Sequence, residues 1–360
     1  IGGCIFLCTT YMVENLKVHA ELSLISDDGL GSEYRISLKS DSLKDTIPEA
    51  VADKIKNMPE TENVYATKYT MGELQISKNE FLSEEEWSDY FKYQNQEPYY
   101  IQRYDGICKQ QEDGNYRIKY NVYGYDEAMI EQLRDFILEG EIQPETIKNN
   151  NQVIVTANMD GQGNYFFYGK KPGDTITLRV PKTENYTDEL LKFQSGEENY
   201  IEKEFEIAAI VNRPLAQEKD FLNTEVWKNA QSVIMTGEQM EENFGITDYS
   251  FINASPADSA DAKIVSNQLL QVIRDVPKAV LQDYTTAIAT QKGYLGQQQI
   301  FFSSIAVILL IISLFHIVNS MSHTILTRRR EYGIIRAIGI TDGGFYKMIL
   351  QTGILYGLLA

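Results

Sequence analysis

Residues Ile300–Val318 read IFFSSIAVILLIISLFHIV and contain no Lys, Arg, Asp or Glu. As an α-helix this stretch spans roughly 28 Å at ~1.5 Å per residue, close to the ~30 Å hydrocarbon thickness of a bilayer. A core helix of a soluble protein is usually shorter and carries a polar stripe. The stretch therefore predicts a membrane-spanning helix, in which His316, near the end, is expected to be an interfacial side chain rather than a proton relay.

Two further apolar stretches lie at the chain ends: Ile1–Val13 (IGGCIFLCTTYMV) and Phe345–Ala360 (FYKMILQTGILYGLLA). The first lacks a starting Met and a basic region before it, so a cleaved signal peptide fits poorly. We expect these stretches to be the end of a first span and the start of a third. The chain is then a fragment cut inside two membrane helices.

The charge distribution predicts an orientation. Arg328, Arg329, Arg330 and Arg336 lie between the second and third apolar stretches, and short loops rich in Lys and Arg stay in the cytoplasm. The formal charge is −18; Ile300–Ala360 carries +3 and Ile1–Val13 none, which leaves −21 on residues 14–299. We therefore expect an extracytoplasmic acidic body. Such a charge argues against nucleic-acid binding, and it fits either attraction of cationic molecules or solubility alone.

Patterning predicts a mixed α+β body. Strands are expected at Glu21–Ser26, Glu33–Leu38, Asn63–Tyr69, Tyr116–Tyr123, Gln152–Ala157, Asp174–Val180 and Phe205–Val211. Helices are expected after a capping box at Thr46–Glu49, and at Ser83–Tyr93, Ala128–Leu138 and Ser259–Ile273. The predicted domains are 1–13 (end of the first span), 14–275 (body), 276–299 (stalk helix), 300–318 (second span), 319–344 (cytoplasmic elbow) and 345–360 (start of the third span).

Catalytic motifs are missing from the sequence. It contains no HExxH, CxxC or GxSxG, and only three Cys and three His, so neither a metal site nor a disulfide scaffold is expected. The segment Gly163–Lys171 imitates a phosphate-binding loop but has one residue too many between its glycines, so a hairpin is the expected structure. We therefore predict a chain without enzymatic activity, which disfavours a tethered ectoenzyme.

The segment after the second span has the pattern of a helical elbow. Ile325, Tyr332, Ile335 and Ile338 recur at helical intervals, so the span is expected to continue as one cytoplasmic helix. We expect Gly339 to end this helix and Thr341 or Asp342 to cap the next one. Arg328–Arg330 are expected to meet anionic lipid headgroups.

Within the elbow, residues Arg329–Gly339 read RREYGIIRAIG. This resembles the FtsX-like permease domain of MacB-type ABC transporters, with the pattern R-x-E-[IY]-G-I-x-R-A-x-G. A positive-inside loop would explain the arginines but not Glu331, Gly333, Ala337 and Gly339 together. The body resembles the MacB-type core domain, because VYGYD, LEG, GDTITL and FEIAAIV, between Val122 and Val211, occur in that family's order.

The resemblance implies a permease subunit in a bacterial cell membrane, multi-pass, with a MacB-like α+β domain outside the cytoplasm. It implies a separate cytoplasmic ATPase that binds ATP and Mg²⁺, a second permease copy or half, and no cofactor in this chain. Movement would pass from the ATPase through the second span to the body, to export or remove antimicrobial peptides, lipids or lipoproteins, or drugs. The implied ATPase-coupling residues are Arg328, Arg329, Arg330, Glu331, Tyr332, Gly333, Ile335, Arg336, Ala337 and Gly339.

Other interpretations stay open at this point. One is a cell-division FtsX-type regulator of cell-wall hydrolases, disfavoured by the size of the body, and another is a membrane-anchored receptor or adhesin. The sequence does not determine the substrate, its binding residues, or any periplasmic or sensor partner. It also leaves open whether the permease has four spans or is a longer duplicated one, and whether it forms a homodimer or a heterodimer.

Overall fold

The computed structural model describes residues 32–40, 42–78, 98–159, 165–184, 186–193, 198–215 and 231–359. Within them, one compact unit ends at Thr285 and a second begins at Thr286. We call the first the α/β body and the second the helical unit. The predicted strand at Glu21–Ser26, the predicted helix at Ser83–Tyr93 and the stretch Ile1–Val13 lie outside the described residues.

The α/β body contains strands and short helices in alternation. The strands are β1 (Tyr34–Leu38), β2 (Thr61–Ile76), β3 (Cys108–Gln110), β4 (Tyr116–Tyr125), β5 (Ile137–Gly140), β6 (Gln152–Thr156), β7 (Asn158–Met159), β8 (Tyr165–Phe166), β9 (Thr175–Pro181), β10 (Tyr200–Val211), β11 (Ser232–Thr236), β12 (Phe251–Pro256) and β13 (Ala279–Asp283). The helices are α1 (Glu49–Lys56), α2 (Pro98–Tyr104), α3 (Glu127–Gln132), α4 (Pro144–Asn149), α5 (Gly237–Phe244) and α6 (Ala262–Ile273), with 3₁₀ turns at Leu133–Phe136 and Asp188–Leu191. The predicted α+β class is confirmed.

The longest strand, β2, belongs to two sheets. Its first half pairs with β12, which continues through β1 to the edge strand β13. Its second half pairs with both β4 and β9, and the order β2-β9-β10-β6-β11-β4 closes on itself as a ring of six strands. The β2 strand therefore connects a small antiparallel sheet to a closed, mixed sheet.

Each sheet has its own apolar core. Under the small sheet, α1 and α6 bury residues one helical turn apart: Val51 and Ile55, and Val265, Leu269 and Ile273. The larger core lies with the closed sheet and is rich in tyrosines, among them Tyr120, Tyr123 and Tyr125, all fully buried. The α/β body therefore has two cores, one for each of the two sheets that share β2.

Three local predictions were wrong or incomplete. The capping box does not form, because Thr46 Oγ1 donates a hydrogen bond to Asp248 Oδ2 at 2.8 Å, and Pro48 precedes α1 without a side-chain cap. The helix predicted at Ala128–Leu138 stops at Gln132, and the chain passes through a 3₁₀ turn into β5. The stalk helix begins at Thr285 rather than at 276, because Ala279–Asp283 pairs along β1 as a strand.

The helical unit consists of α7 (Thr285–Thr327), α8 (Arg329–Ala337) and α9 (Asp342–Leu359). Within the described residues, one stretch, Gly296–Thr327 in α7, is long and apolar enough to cross a membrane, by length and composition. Only 6% of its most apolar window is buried, unlike a core helix of a soluble protein. The helices α7 and α9 approach closely, since a Cβ on Gly353 would lie 2.5 Å from the sulfur of Met321.

Candidate coupling site

The first interruption in the elbow, residues 319–344, is a single residue. Arg328 has φ −98° and ψ 20°, and it separates α7 from α8, so the continuous helix predicted here is wrong. Backbone bonding persists across the break: Arg328 N–H donates to Thr324 O, and Tyr332 N–H donates to Arg328 O, both at 3.0 Å. Arg328 therefore leaves the helical conformation while these backbone groups stay paired.

The turn between α8 and α9 uses the residues predicted for it. Gly339 has φ +103°, a conformation that residues with a Cβ rarely adopt. Among the described residues, a Cβ at Gly339 would meet no heavy atom within 4 Å, so the requirement for glycine is conformational. Thr341 caps α9 because its Oγ1 accepts a hydrogen bond from Gly344 N–H at 3.2 Å, which decides between the two predicted caps.

One face of α8 contacts α9. Tyr332 and Arg336 are four residues apart and lie on the same side of the helix. Arg336 Nη2 donates to Asp342 Oδ1, and its guanidinium carbon lies 5.1 Å from the centre of the Phe345 ring. The Tyr332 ring meets Phe345 edge-on, with centroids 5.7 Å apart and planes at 83°. We call these four residues, Tyr332, Arg336, Asp342 and Phe345, the elbow clamp.

The opposite face of α8 carries apolar and small residues that contact little. None of the side chains of α8 is buried. Ile334 is 58% exposed and Ile338 is 80% exposed, and a Cβ at Gly333 would meet no described heavy atom within 4 Å. By helical spacing, these residues share a face with Arg330 and Ala337. We call Arg330, Gly333, Ile334, Ala337 and Ile338 the outer face of α8.

The structure thus divides the ten predicted coupling residues. Arg330, Gly333 and Ala337 lie on the outer face, Tyr332 and Arg336 lie in the clamp, and Gly339 makes the turn. Arg328 is the break before α8, and Arg329, Glu331 and Ile335 lie elsewhere on α8. The predicted coupling set did not include Ile334 and Ile338, which follow Arg330 at intervals of four residues and share its face of the helix. The sequence prediction also did not foresee the clamp contacts of Asp342 and Phe345, which depend on how α9 turns back. The coupling role itself stays a prediction for all ten residues.

The α/β body gathers its own ionisable groups around Glu73. Lys119 Nζ lies 2.5 Å from Glu73 Oε1, and Arg179 Nη1 lies 3.1 Å from Oε2. All three side chains are at most 4% exposed. In register, Glu73 on β2 stands opposite Lys119 on β4 and Arg179 on β9. We call these three residues the buried ion cluster.

The buried ion cluster is further enclosed by aromatic rings. The Arg179 guanidinium lies 3.6 Å from the ring centre of Tyr200, and Lys119 Nζ lies 4.1 Å from that of Phe193. Burial lowers the pKa of Lys119, and the adjacent Glu73 carboxylate opposes that shift. Because the cluster has almost no contact with solvent, it can join three strands but cannot receive a substrate.

Other reactive groups in the described residues do not assemble into a site. No group of three or more His, Cys, Asp or Glu side chains there could hold a metal ion. Burial raises the pKa of the Cys108 thiol, which keeps it in its unreactive protonated form. The exposed groups of the elbow, in contrast, fit a contact with a partner.

Comparison with known proteins agrees with the resemblance found in the elbow. Residues 303–360 match the family model described as FtsX-like permease C-terminal. This confirms the resemblance over the helical unit from Ser303 onward, and it places the elbow inside the matched region. No curated protein matches the chain.

Solved structures show a distant likeness over the body. The periplasmic region of MacB from Actinobacillus actinomycetemcomitans has a TM-score of 0.40 at 9% identity, over 73% of this chain and 94% of that one. The extracellular domain of the noncanonic ABC-type transporter YknZ from Gram-positive bacteria has a TM-score of 0.37 at 9% identity, over 70% of this chain and 100% of that one. With both TM-scores below 0.5, the functional assignment rests on the family match.

Proposed function

We propose, on the premise that residues 303–360 form an FtsX-like permease C-terminal segment, that this chain is the membrane permease component of an ABC transporter. In this proposal Ile300–Val318 crosses the bilayer, the elbow lies in the cytoplasm, and the acidic body lies outside. A separate ABC ATPase binds ATP and Mg²⁺ and docks on the elbow, beneath a pair of permease chains or halves. Catalysis takes place in that partner and not in this chain.

The family match carries this proposal, and the structural observation that supports docking on the elbow is the outer face of α8. Glycine inside a helix costs about 1 kcal/mol relative to alanine. A Cβ at Gly333 would meet no described heavy atom within 4 Å, so no neighbour within the described chain excludes a side chain there. Ile338 leaves most of its apolar surface uncovered. A glycine that admits close backbone approach, beside exposed isoleucines and Arg330, suits a partner helix or groove of the ATPase. In this proposal the other face of α8, which holds α9, takes no part in that contact.

Movement of the ATPase would reach the body along α7. This helix runs without interruption for 43 residues, from Thr285 to Thr327. The main-chain hydrogen bonds inside a helix resist stretching, so a displacement at one end is passed along its axis. We infer that the body responds to the ATPase cycle, and that antimicrobial peptides, lipids, lipoproteins or drugs are the candidate substrates.

The test is co-purification of the full-length protein from its own membranes. We expect a cytoplasmic ABC ATPase to accompany the wild-type protein. Gly333→Trp and Ile338→Glu should weaken its retention on the order of tenfold or more, because each places bulk or charge in an apolar contact. The matched control is Gly293→Trp in α7, another helical glycine at which a Cβ would meet no described heavy atom within 4 Å.

Two results would contradict the proposal. One is the recovery of wild-type protein without any ABC ATPase from membranes that contain one. The other is equal retention in Gly333→Trp, Ile338→Glu and the Gly293→Trp control. The predicted orientation is checked separately, by asking whether a cysteine placed at Arg329 reacts with a membrane-impermeant reagent only after the cytoplasmic side is opened.

A further inference from the structure

We propose that Arg336 is a positioning residue that fixes the angle between α8 and α9 through Asp342 and Phe345, and that it does not contact the ATPase. This inference rests on the proposed function, because the fixed angle matters only if a partner moves α8. It divides the arginines of the elbow into two kinds. Arg330 lies on the outer face, whereas Arg336 contacts Asp342 and Phe345 of the same chain.

The two charges of the clamp stand at the helix ends that stabilise them. Arg336 lies in the last turn of α8, where the unpaired carbonyls give the helix end a partial negative charge. Asp342 is the first residue of α9, where the unpaired N–H groups give a partial positive charge. Each charge therefore interacts favourably with its own helix, and the ion pair between them joins the two ends.

The ring of Phe345 orients the guanidinium of Arg336 in the ion pair with Asp342. The guanidinium of Arg336 stands over the face of its ring, where the π electrons attract a cation, and Tyr332 meets the ring edge-on. A planar guanidinium presents several N–H donors in a fixed plane and can stack its flat face on a ring, whereas the ammonium of lysine is a compact point charge on a flexible stem. The geometry at position 336 therefore favours arginine over lysine, although both carry a positive charge.

The turn between the helices leaves room for a second orientation unless the clamp holds it. Residues 338–341 join α8 to α9 along the chain, and Gly339 among them has φ +103°. Glycine has the widest backbone freedom of any residue, so the turn alone defines the angle weakly. The clamp closes the loop from Tyr332 to Phe345 by side-chain contacts, and a displacement of α8 then carries the start of α9 with it.

The first experiment measures the angle in the full-length permease without any ATPase. Native cysteines are replaced, and spin labels are placed at Ile334 and Leu350, which are 58% and 64% exposed. Pulsed electron resonance should give one narrow distance distribution with Arg336 intact. Arg336→Gln and Arg336→Lys should broaden it at least twofold. Arg329→Gln, the control, removes the same charge at the other end of α8 and should leave it unchanged.

The second experiment uses the complex with the ATPase in membranes. Arg336→Lys should retain the ATPase within twofold of wild type and still lose most of the stimulation of transport by ATP. Ile338→Glu should instead lose the ATPase itself. An unchanged distance distribution in Arg336→Gln overturns the inference, and so does loss of the ATPase in Arg336→Lys to the same extent as in Ile338→Glu. If wild type has no ATPase partner, the proposed function fails, whereas the distance measurement still decides the clamp.

Discussion

Charged residues serve opposite purposes in the body and in the elbow. The Glu73 side chain is 2% exposed, between two cations on neighbouring strands, whereas Asp342 is 76% exposed and Arg336 55% exposed. Removing a buried partner leaves an ion without water or counter-charge, but an exposed partner is replaced by solvent. The buried ions of the body therefore stabilise the pairing of its strands. The elbow pair adds little stability, and its proposed role is to fix the angle between α8 and α9.

Glu73→Ala tests the buried side of this comparison and should have the largest effect on stability. Lys119 and Arg179 would remain buried without their carboxylate, so we expect a loss of about 3–5 kcal/mol in the free energy of unfolding of the body. Urea-dependent pulse proteolysis of the full-length protein in detergent measures this loss. Glu204→Ala is the control, because Glu204 is an exposed residue of β10 in the same sheet, and it should change stability by under ~0.5 kcal/mol. A loss below ~1 kcal/mol in Glu73→Ala would show that the cluster is not needed.

The partly exposed pair Asp45–Lys278 should fall between the two extremes and depend on pH. Hydrogen bonds from Lys278 and Ser40 lower the pKa of Asp45 below its ordinary value. The folded state therefore favours the carboxylate, and this contribution is present above the unfolded pKa of ~3.9 and lost as the pH falls through the folded pKa. Lys278→Met should lower the melting temperature at pH 6, and the difference from wild type should shrink as the pH falls below the unfolded pKa of ~3.9 and vanish below the folded pKa. A difference that does not shrink as Asp45 is protonated would have another cause.

Asp342→Asn should give the smallest change in stability. Exposed ion pairs contribute ~0–1 kcal/mol, so unfolding of the full-length protein should shift by no more than that. The same variant should broaden the distance distribution between α8 and α9 as Arg336→Gln does. A stability loss similar to that of Glu73→Ala would mean that the elbow pair is structural, and the contrast between the two regions would disappear.

Several features follow from local sequence. The apolar stretch Ile300–Val318 is helical and lies within Gly296–Thr327, and the strands at Glu33–Leu38, Tyr116–Tyr123 and Gln152–Ala157 were found within a few residues. The caps and turns of the elbow at Gly339 and Thr341 were also predictable. All of these depend on residues near one another in the chain, since apolar period, backbone conformation and capping act over a few residues.

Other features depend on residues far apart. Thr46, which has the pattern of a helix cap, bonds Asp248, 202 residues away. The run Ala279–Asp283 is apolar enough for a helix, and it is a strand only because the edge of β1 offers unpaired main-chain groups. Glu73 meets Lys119 and Arg179 across 46 and 106 residues, and no local pattern marks these three among the many charged residues of the body.

By itself, the sequence determined the apolar helix, the acidic charge of the body, and the elbow motif that matches the FtsX-like permease C-terminal family. Tertiary structure decided which charges are buried together, where the long helix begins, and which face of α8 is left open. The reason is physical: composition and helical period are fixed by neighbouring residues, whereas burial and pairing depend on which distant segments come into contact.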